Sequence, residues 1–269
     1  MVNQCLRLWT PGIFSVDSRL KLLFLTKVFG AGWRDLGDQI RMRSLLLVSS
    51  GDNLDAALAC GADALVIGIN DGQVEDSRKC SRERSEQARK RSASLFVAVH
   101  ALASGAVDAD LDAIMPARPD GIFLPAACGG VDLQHLSVKL AVREAELGFD
   151  EGATKILAVA GANPASLFEL RSFNGATARL SGLIFGQQEL ADALAIKAPS
   201  ASLDLARNLV LFAAKAAGVP AFDAPAPPNV GAQRLEDICR AAKRDGFAGK
   251  CAVDPDQVAP INAVFAATS

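Results

Sequence analysis

The chain has 269 residues, half of them hydrophobic, and a formal net charge of −2. This length is enough for one large α/β domain with a buried core, whereas the near-neutral charge argues against a nucleic-acid partner. No run of 18 apolar residues is present, so we expect no membrane-spanning helix. The six cysteines lack the spacing of a metal site or a disulfide framework, which is typical of reduced thiols in a cytoplasmic protein.

The first 41 residues differ in composition from the rest of the chain. Both tryptophans, Trp9 and Trp33, lie in this segment, and no clear apolar period joins it to the residues after it. We interpret residues 1–41 as a mis-annotated translation start or a disordered extension. The alternative is an N-terminal arm that packs on the domain or on a neighbouring subunit. Residues 42–269 are then predicted to form a single domain.

After Met42, short apolar runs alternate with longer amphipathic ones. The short runs are apolar throughout, which is the pattern of parallel strands that are buried on both faces. The predicted strands are Leu45–Val48, Ala64–Ile69, Leu95–Val99, Gly121–Leu124, Ile156–Val159, Leu180–Phe185, Val219–Phe222 and Cys251–Val253. The predicted helices are 53–60, 79–92, 108–115, 131–148, 163–171, 187–195, 202–217 and 232–245.

Eight strand–helix repeats predict a (β/α)8 TIM barrel. A doubly wound open sheet is the alternative, because the alternation of strands and helices alone does not distinguish the two folds. Asp52 precedes the first helix and is predicted to cap it.

Polar residues after predicted strands are the candidates for a functional site, since a barrel carries its chemistry at the carboxyl ends of its strands. Glu189 lies at the start of the helix after the sixth strand. It is predicted to be a ligand, and the alternative is an acid that stabilises the helix start. His100 ends the third strand, as a general base, a ligand or a structural histidine. Asp71, after the second strand, and Asp254, after the eighth, are the remaining acids, and a solvated loop is the alternative for Asp71.

Several motifs in order give the chain a family resemblance. They include Arg43-Ser44, Gly61-Ala-Asp-Ala64, Asp120-Gly-Ile-Phe-Leu-Pro125, Gly182-Leu-Ile-Phe-Gly186 and Gly246-Phe-Ala-Gly-Lys250. With these motifs, residues 42–269 resemble the citrate lyase β-subunit-like branch of the HpcH/HpaI aldolase family, within the phosphoenolpyruvate-binding barrel superfamily.

The resemblance implies an activity, a cofactor and partners. Such enzymes make or break a C–C bond of β-hydroxy acyl-CoA thioesters, such as citryl-, malyl- or citramalyl-CoA, or act on oxo-acids. The reaction is a retro-aldol cleavage that uses Mg²⁺, a hard cation that prefers oxygen ligands. The partners implied are a small-molecule acid or acyl-CoA, with no nucleic acid and no membrane, and the family's usual assembly is a homotrimer.

The resemblance, together with the places of polar residues at strand ends, predicts roles for particular residues. Arg43 would bind the acid group of the substrate and, with Asp71 and His100, would be catalytic. The substrate site would further include Gly186 and Asp254. Glu189 is predicted to be the metal ligand.

Departures from the family pattern lie at polar positions, while the scaffold positions match. Gly161 replaces a metal-binding glutamate at the end of the fifth strand, and Asp71 alone remains of an acidic set after the second. The other replacements are Ala98 for arginine, His100 for asparagine, Ala126 for lysine, Glu189 for aspartate and Asp254 for histidine. We therefore expect a lyase with an impaired or altered metal site. The alternative is a catalytically inactive barrel that acts as a ligand-binding, partner or regulatory subunit.

Overall fold

The computed structural model describes residues 42–49, 51–68, 74–88 and 93–266. The interpretation of residues 1–41 and the prediction for Asp71 lie outside the described residues and stay predictions.

Eight parallel strands close into a barrel in the order of the sequence. Each strand pairs with the next, and β8 pairs with β1, so that Leu45 lies opposite both Ala64 and Cys251. This closure confirms the predicted TIM barrel and excludes the open sheet. The strands are β1 Ser44–Val48, β2 Ala64–Ile67, β3 Ser94–Ala98, β4 Gly121–Ala127, β5 Lys155–Ala160, β6 Leu180–Phe185, β7 Ala221–Asp223 and β8 Gly249–Ala252.

Helices follow the strands and cover the outside of the barrel. They are α1 Leu54–Ala59, α2 Val74–Ala88, α3 Val107–Ile114, α4 Gly130–Leu147, α5 Pro164–Phe168, α6 Gln187–Ala193, α7 Ala201–Ala216, α8 Ala232–Asp245 and α9 Val258–Phe265. The side chain of Asn53, rather than that of Asp52, accepts from the backbone at the start of α1, which corrects the predicted cap. Within the described ranges, none of these helices is long and apolar enough to cross a membrane.

Buried apolar side chains form two clusters, as expected when strands alternate between two faces. Leu45 belongs to the smaller cluster, whose members come mainly from alternate strand positions and fill the barrel interior, whereas Leu46 belongs to the larger one between strands and helices. The interior cluster is Leu45, Ala64, Val66, Phe96, Leu157, Val159, Ala162, Ile184, Phe222 and Cys251. The interior is therefore an apolar core, and any polar chemistry must lie at a barrel end.

A buried ion pair ties α4 to the amino ends of two strands. The guanidinium of Arg179, just before β6, donates to both oxygens of Glu144 at 2.7 Å. The same carboxylate accepts from the backbone N–H groups of Gly152 and Thr154, at 2.9 and 2.7 Å. Burial alone would raise the pKa of Glu144, but these hydrogen bonds outweigh it and lower the pKa to about 2. The pair is a structural element at the amino end of the barrel.

Candidate functional site

In the part of the chain that the structure describes, the rim at the carboxyl ends of the strands is largely non-polar. Glycine follows β2, β5 and β6, at positions 68, 161 and 186, and alanine follows β7 at position 224. The alanines at positions 98 and 126, which replace the arginine and lysine of the family pattern, pack on the apolar interior cluster. The polar chemistry of the described rim therefore rests on a few side chains.

His100 lies at the rim and makes two polar contacts with Asp110. Its ring Nδ1 lies 2.8 Å from Oδ2 of Asp110, and its backbone N–H donates to the same oxygen at 2.8 Å. The other carboxylate oxygen, Oδ1, accepts from Nε of Arg78 at 2.8 Å. Asp110 is completely buried on α3, whereas the His100 side chain is 18% exposed. Imidazole, carboxylate and guanidinium thus form a chain that runs from the rim into the helix layer.

This constellation can perform proton transfer. A partly exposed imidazole that is held by a buried carboxylate is the arrangement of a general base with its orienting acid. The carboxylate itself is paired by a cation, so that its burial does not leave an isolated charge. The roles predicted for His100 stay predictions.

Arg43 lies at the opposite end of the barrel. It precedes β1, and its Nε and Nη2 donate to the two oxygens of Asp63, at 2.8 and 2.7 Å. This hydrogen bonding raises the pKa of Arg43. Because all strands are parallel, a residue that precedes a strand lies at the amino end, so Arg43 lies at the end opposite His100 and its predicted roles stay predictions. Its predicted contact with the substrate therefore does not enter the proposed site.

Gly186 and Asp254 lie at the carboxyl end, with their polar groups already engaged. The N–H of Gly186 donates to the carbonyl of Ala160, and its carbonyl accepts from Leu190. A Cβ at position 186 would come within about 3 Å of Val159 and Ala162, so close packing requires glycine there. Oδ1 of Asp254 accepts from the backbone of Asp256 at 2.8 Å and caps a short 3-10 turn. Their predicted substrate contacts stay predictions.

Glu189 is exposed in the first turn of α6, and its negative charge affects the pKa of Cys251 in the barrel interior. Burial chiefly raises the pKa of Cys251 to about 12; nearby Lys250 opposes the rise, while Asp223 and Glu189 add to it. The carboxylate is thus close enough to act on a thiol of the interior cluster. Asp223 is no second ligand at this rim, because it is bonded to Lys250 and Arg207 in the helix layer.

The described residues include no three-ligand metal site of the kind that histidine, cysteine and carboxylates form. Among residues 42–49, 51–68, 74–88 and 93–266, no group of three histidine, cysteine, aspartate or glutamate side chains is arranged to hold a metal ion. Gly161 has a φ of +69°, and a Cβ there would lie 2.9 Å from Val210 and 3.1 Å from Leu167. A glutamate at this position would strain the backbone, and its side chain would point from Cα toward the helix layer. Among the described residues, Glu189 is kept where the family pattern has an acid, whereas Gly161 supplies no carboxylate.

Asp110 and Arg78 were not predicted as functional residues. A signal was present for Asp110, because Val107, Asp110, Leu111 and Ile114 have the i, i+3, i+4, i+7 spacing of a buried helix face. A charged residue on such a face needs a partner. The partner, Arg78, is 32 positions away in the sequence, and only the packing of α2 on α3 brings the two together.

The closed parallel barrel defines a (β/α)8 protein. The model of the HpcH/HpaI aldolase/citrate lyase family matches residues 45–255. The chain belongs to this family, which confirms the resemblance derived from the sequence.

Individual relatives are distant in sequence. Citrate lyase subunit beta from Haemophilus influenzae is 27% identical over 161 residues, which cover 59% of this chain and 55% of that protein. The chain thus matches little more than half the length of this relative. A (3S)-malyl-CoA thioesterase from Cereibacter sphaeroides is 26% identical, with 83% of this chain and 76% of that protein covered.

The fold is shared with solved structures. The citrate lyase beta subunit from M. tuberculosis, solved in complex with oxaloacetate and magnesium, superposes with a TM-score of 0.66 at 18% identity. The superposition covers 85% of this chain and 99% of that one. At this identity, the comparison establishes the common barrel.

Proposed function

We propose that the chain is a citrate lyase beta-like C–C lyase that cleaves a β-hydroxy acyl-CoA or a related oxo-acid by a retro-aldol reaction. The observation that carries the proposal is the pairing of His100 with buried Asp110 at the carboxyl end of β3. Family membership supports the reaction class, and relatives are named for citrate lyase and for malyl-CoA hydrolysis. We further propose the cytoplasm as its location, in keeping with the free state of the five described cysteines.

The reaction needs a group that moves one proton. The base takes the proton of the β-hydroxyl, the bond between the α and β carbons breaks, and the hydroxyl carbon becomes the carbonyl of the released product. The electron pair remains on the α carbon as the enolate of the acyl thioester, which then takes up a proton. His100 is proposed as the base, because its imidazole is partly exposed at the rim and histidine is the most frequent general base in enzymes.

We also propose that the metal site of the family is altered in this chain. The support is Gly161 at the end of β5, the exposed single carboxylate of Glu189, and the lack of a three-ligand group in the described part. When bound in a related enzyme, Mg²⁺ would stabilise charge on the oxo-acid fragment. In this chain we assign no step of the reaction to it.

Addition of millimolar Mg²⁺ is therefore expected to leave the thermal midpoint of unfolding unchanged, because a ligand raises it only by binding the folded state. Differential scanning fluorimetry of the wild type and of Glu189→Gln, each with Mg²⁺ and with EDTA, measures this. A rise with Mg²⁺ in the wild type that disappears in Glu189→Gln would contradict the altered site and restore the predicted ligand role of Glu189.

The second candidate function is a catalytically inactive barrel that binds an acid or acyl-CoA as a partner or regulatory subunit. The observation that favours it is the apolar rim, where the alanines at positions 98 and 126 replace cationic residues of the family pattern. Isothermal titration with CoA thioesters, beside a turnover assay, distinguishes the two functions. Binding without turnover by folded protein would favour the inactive barrel.

We propose that copies of the chain associate, with a homotrimer as the expected assembly. Phe168 on α5 is 88% exposed, and Leu205 and Phe212 on the contacting helix α7 are 62% and 64% exposed. These three side chains expose roughly 400 Å² of apolar surface, about half of what one partner buries in a standard interface. Exposed apolar side chains of this size on two contacting helices support an interaction surface.

Replacement of both phenylalanines, as Phe168→Gln with Phe212→Gln, is expected to convert trimers to monomers. Light scattering coupled to size-exclusion chromatography at micromolar concentration measures the mass. Lys215→Gln, an exposed change on the same helix, is the matched control and should leave the mass unchanged. A monomeric wild type, or a double variant that remains trimeric, would contradict the assignment.

A further inference from the structure

We propose that Asp110 is a positioning residue that holds His100 in the tautomer with its proton on Nδ1 and leaves Nε2 as the basic nitrogen. The inference rests on the proposed function for its catalytic meaning. Its structural part concerns only His100, Asp110 and Arg78, and can be tested without turnover.

Two nitrogens of His100, the backbone N and the ring Nδ1, lie within hydrogen-bond distance of Oδ2 of Asp110. The backbone N–H of His100 donates to Oδ2 at 2.8 Å, so this oxygen acts as an acceptor. An ionised carboxylate has only acceptor positions. The ring Nδ1, 2.8 Å from the same oxygen, must therefore carry a proton, because a lone pair at this distance would face another lone pair. A neutral imidazole protonated on Nδ1 has Nε2 as its acceptor.

Arg78 holds the carboxylate in the charged, acceptor-only state. Its Nε donates to Oδ1 at 2.8 Å, and its Nη2 lies 3.4 Å from the carbonyl of Ala106, at the start of the same helix. Asp110 is fully buried, and a buried carboxylate of this kind needs a cation to stay ionised without a large free-energy cost. Arg78 thus acts on His100 through Asp110.

Asp110→Asn is a sharp probe, because an amide has one oxygen where the carboxylate has two. The charged donor Arg78 forms the stronger bond with that oxygen, so that the NH2 group faces His100 and the backbone N–H of His100 loses its acceptor. The ring Nδ1 must then become an acceptor, and the proton moves to Nε2. The change alters the tautomer while it keeps the size of the side chain.

The first measurement is ¹⁵N NMR of histidine-labelled, tag-free protein. The chain has only two histidines, and exposed His135 on α4 is the internal reference, assigned with His135→Gln. In the wild type, neutral His100 should be protonated on Nδ1, and in Asp110→Asn the form protonated on Nε2 should increase. A wild-type His100 protonated mainly on Nε2 would overturn the inference. The wild-type spectrum is decisive even where the variant does not fold.

The second measurement is a kinetic cycle with malyl-CoA. Asp110→Asn should lower kcat about 100-fold or more with little change in KM, and should cause no further loss in the His100→Gln background. Asp112→Asn, an exposed change on the same helix, is the control and should keep wild-type kcat. Additive losses would overturn the positioning role. Absence of turnover in wild type with the expected tautomer would refute the proposed function but leave the tautomer assignment intact.

Discussion

His100→Gln is expected to lower kcat for cleavage of a β-hydroxy acyl-CoA by about 100- to 10,000-fold, the range that a general base contributes. Glutamine keeps a polar side chain near Asp110 but does not take up a proton near neutral pH. The KM should change little, because the proton moves only in the transition state. Release of the oxo-acid product, followed by its reaction with a hydrazine reagent, gives both constants.

The other histidine of the chain provides the control for this substitution. His135→Gln changes an exposed side chain on α4, outside the constellation of His100, Asp110 and Arg78, and should retain wild-type kcat. Equal kcat for His100→Gln and the wild type would show that His100 is a structural histidine, which is the alternative that the sequence left open.

The largest effect on stability is expected at the amino end of the barrel. Glu144→Gln should lower the free energy of unfolding by about 3–5 kcal/mol, because it leaves Arg179 buried without its charged partner. Urea unfolding at neutral pH, monitored by circular dichroism, measures this change. Glu146→Gln, an exposed change on the same helix, should alter the free energy of unfolding by less than about 0.5 kcal/mol.

The same carboxylate predicts how stability depends on pH. The pKa of Glu144 falls from 4.5 to about 2 in the folded protein, so its contribution is fully present above 4.5 and is lost as the pH falls toward 2. The difference in free energy of unfolding between wild type and Glu144→Gln should therefore shrink over this interval. A difference that remains constant down to the lower pH would contradict the depressed pKa.

The barrel could be predicted because its strands are apolar on both faces. This pattern is typical of parallel strands whose two faces are both buried. Helix α9 was not predicted, since Pro260 lies within its eight residues and obscures a helical pattern. The end of β4 was also missed: the strand continues to Ala127, with an irregular register after Leu124. Local patterns therefore identified the repeat better than they identified the limits of each element.

The candidate site could be predicted only in part. His100 was found because it follows a strand, and the same rule, applied to Arg43 before β1, places that residue at the amino end. The link from His100 to Asp110 spans ten residues and the link from Asp110 to Arg78 spans 32, so both depend on tertiary packing. The replacement of a family glutamate by Gly161 was visible in the sequence. The contacts of that position with Val210 and Leu167 were not.

In the proposed function, catalysis depends on His100 and not on a two-carboxylate metal site. Its most direct test is the cleavage of malyl-, citramalyl- and citryl-CoA by the full chain in EDTA and in Mg²⁺, with His100→Gln alongside. We predict that one of these thioesters is cleaved to an acyl-CoA and an oxo-acid at the same rate in both buffers, and that His100→Gln abolishes the reaction. Cleavage that requires Mg²⁺ and persists in His100→Gln would contradict the account.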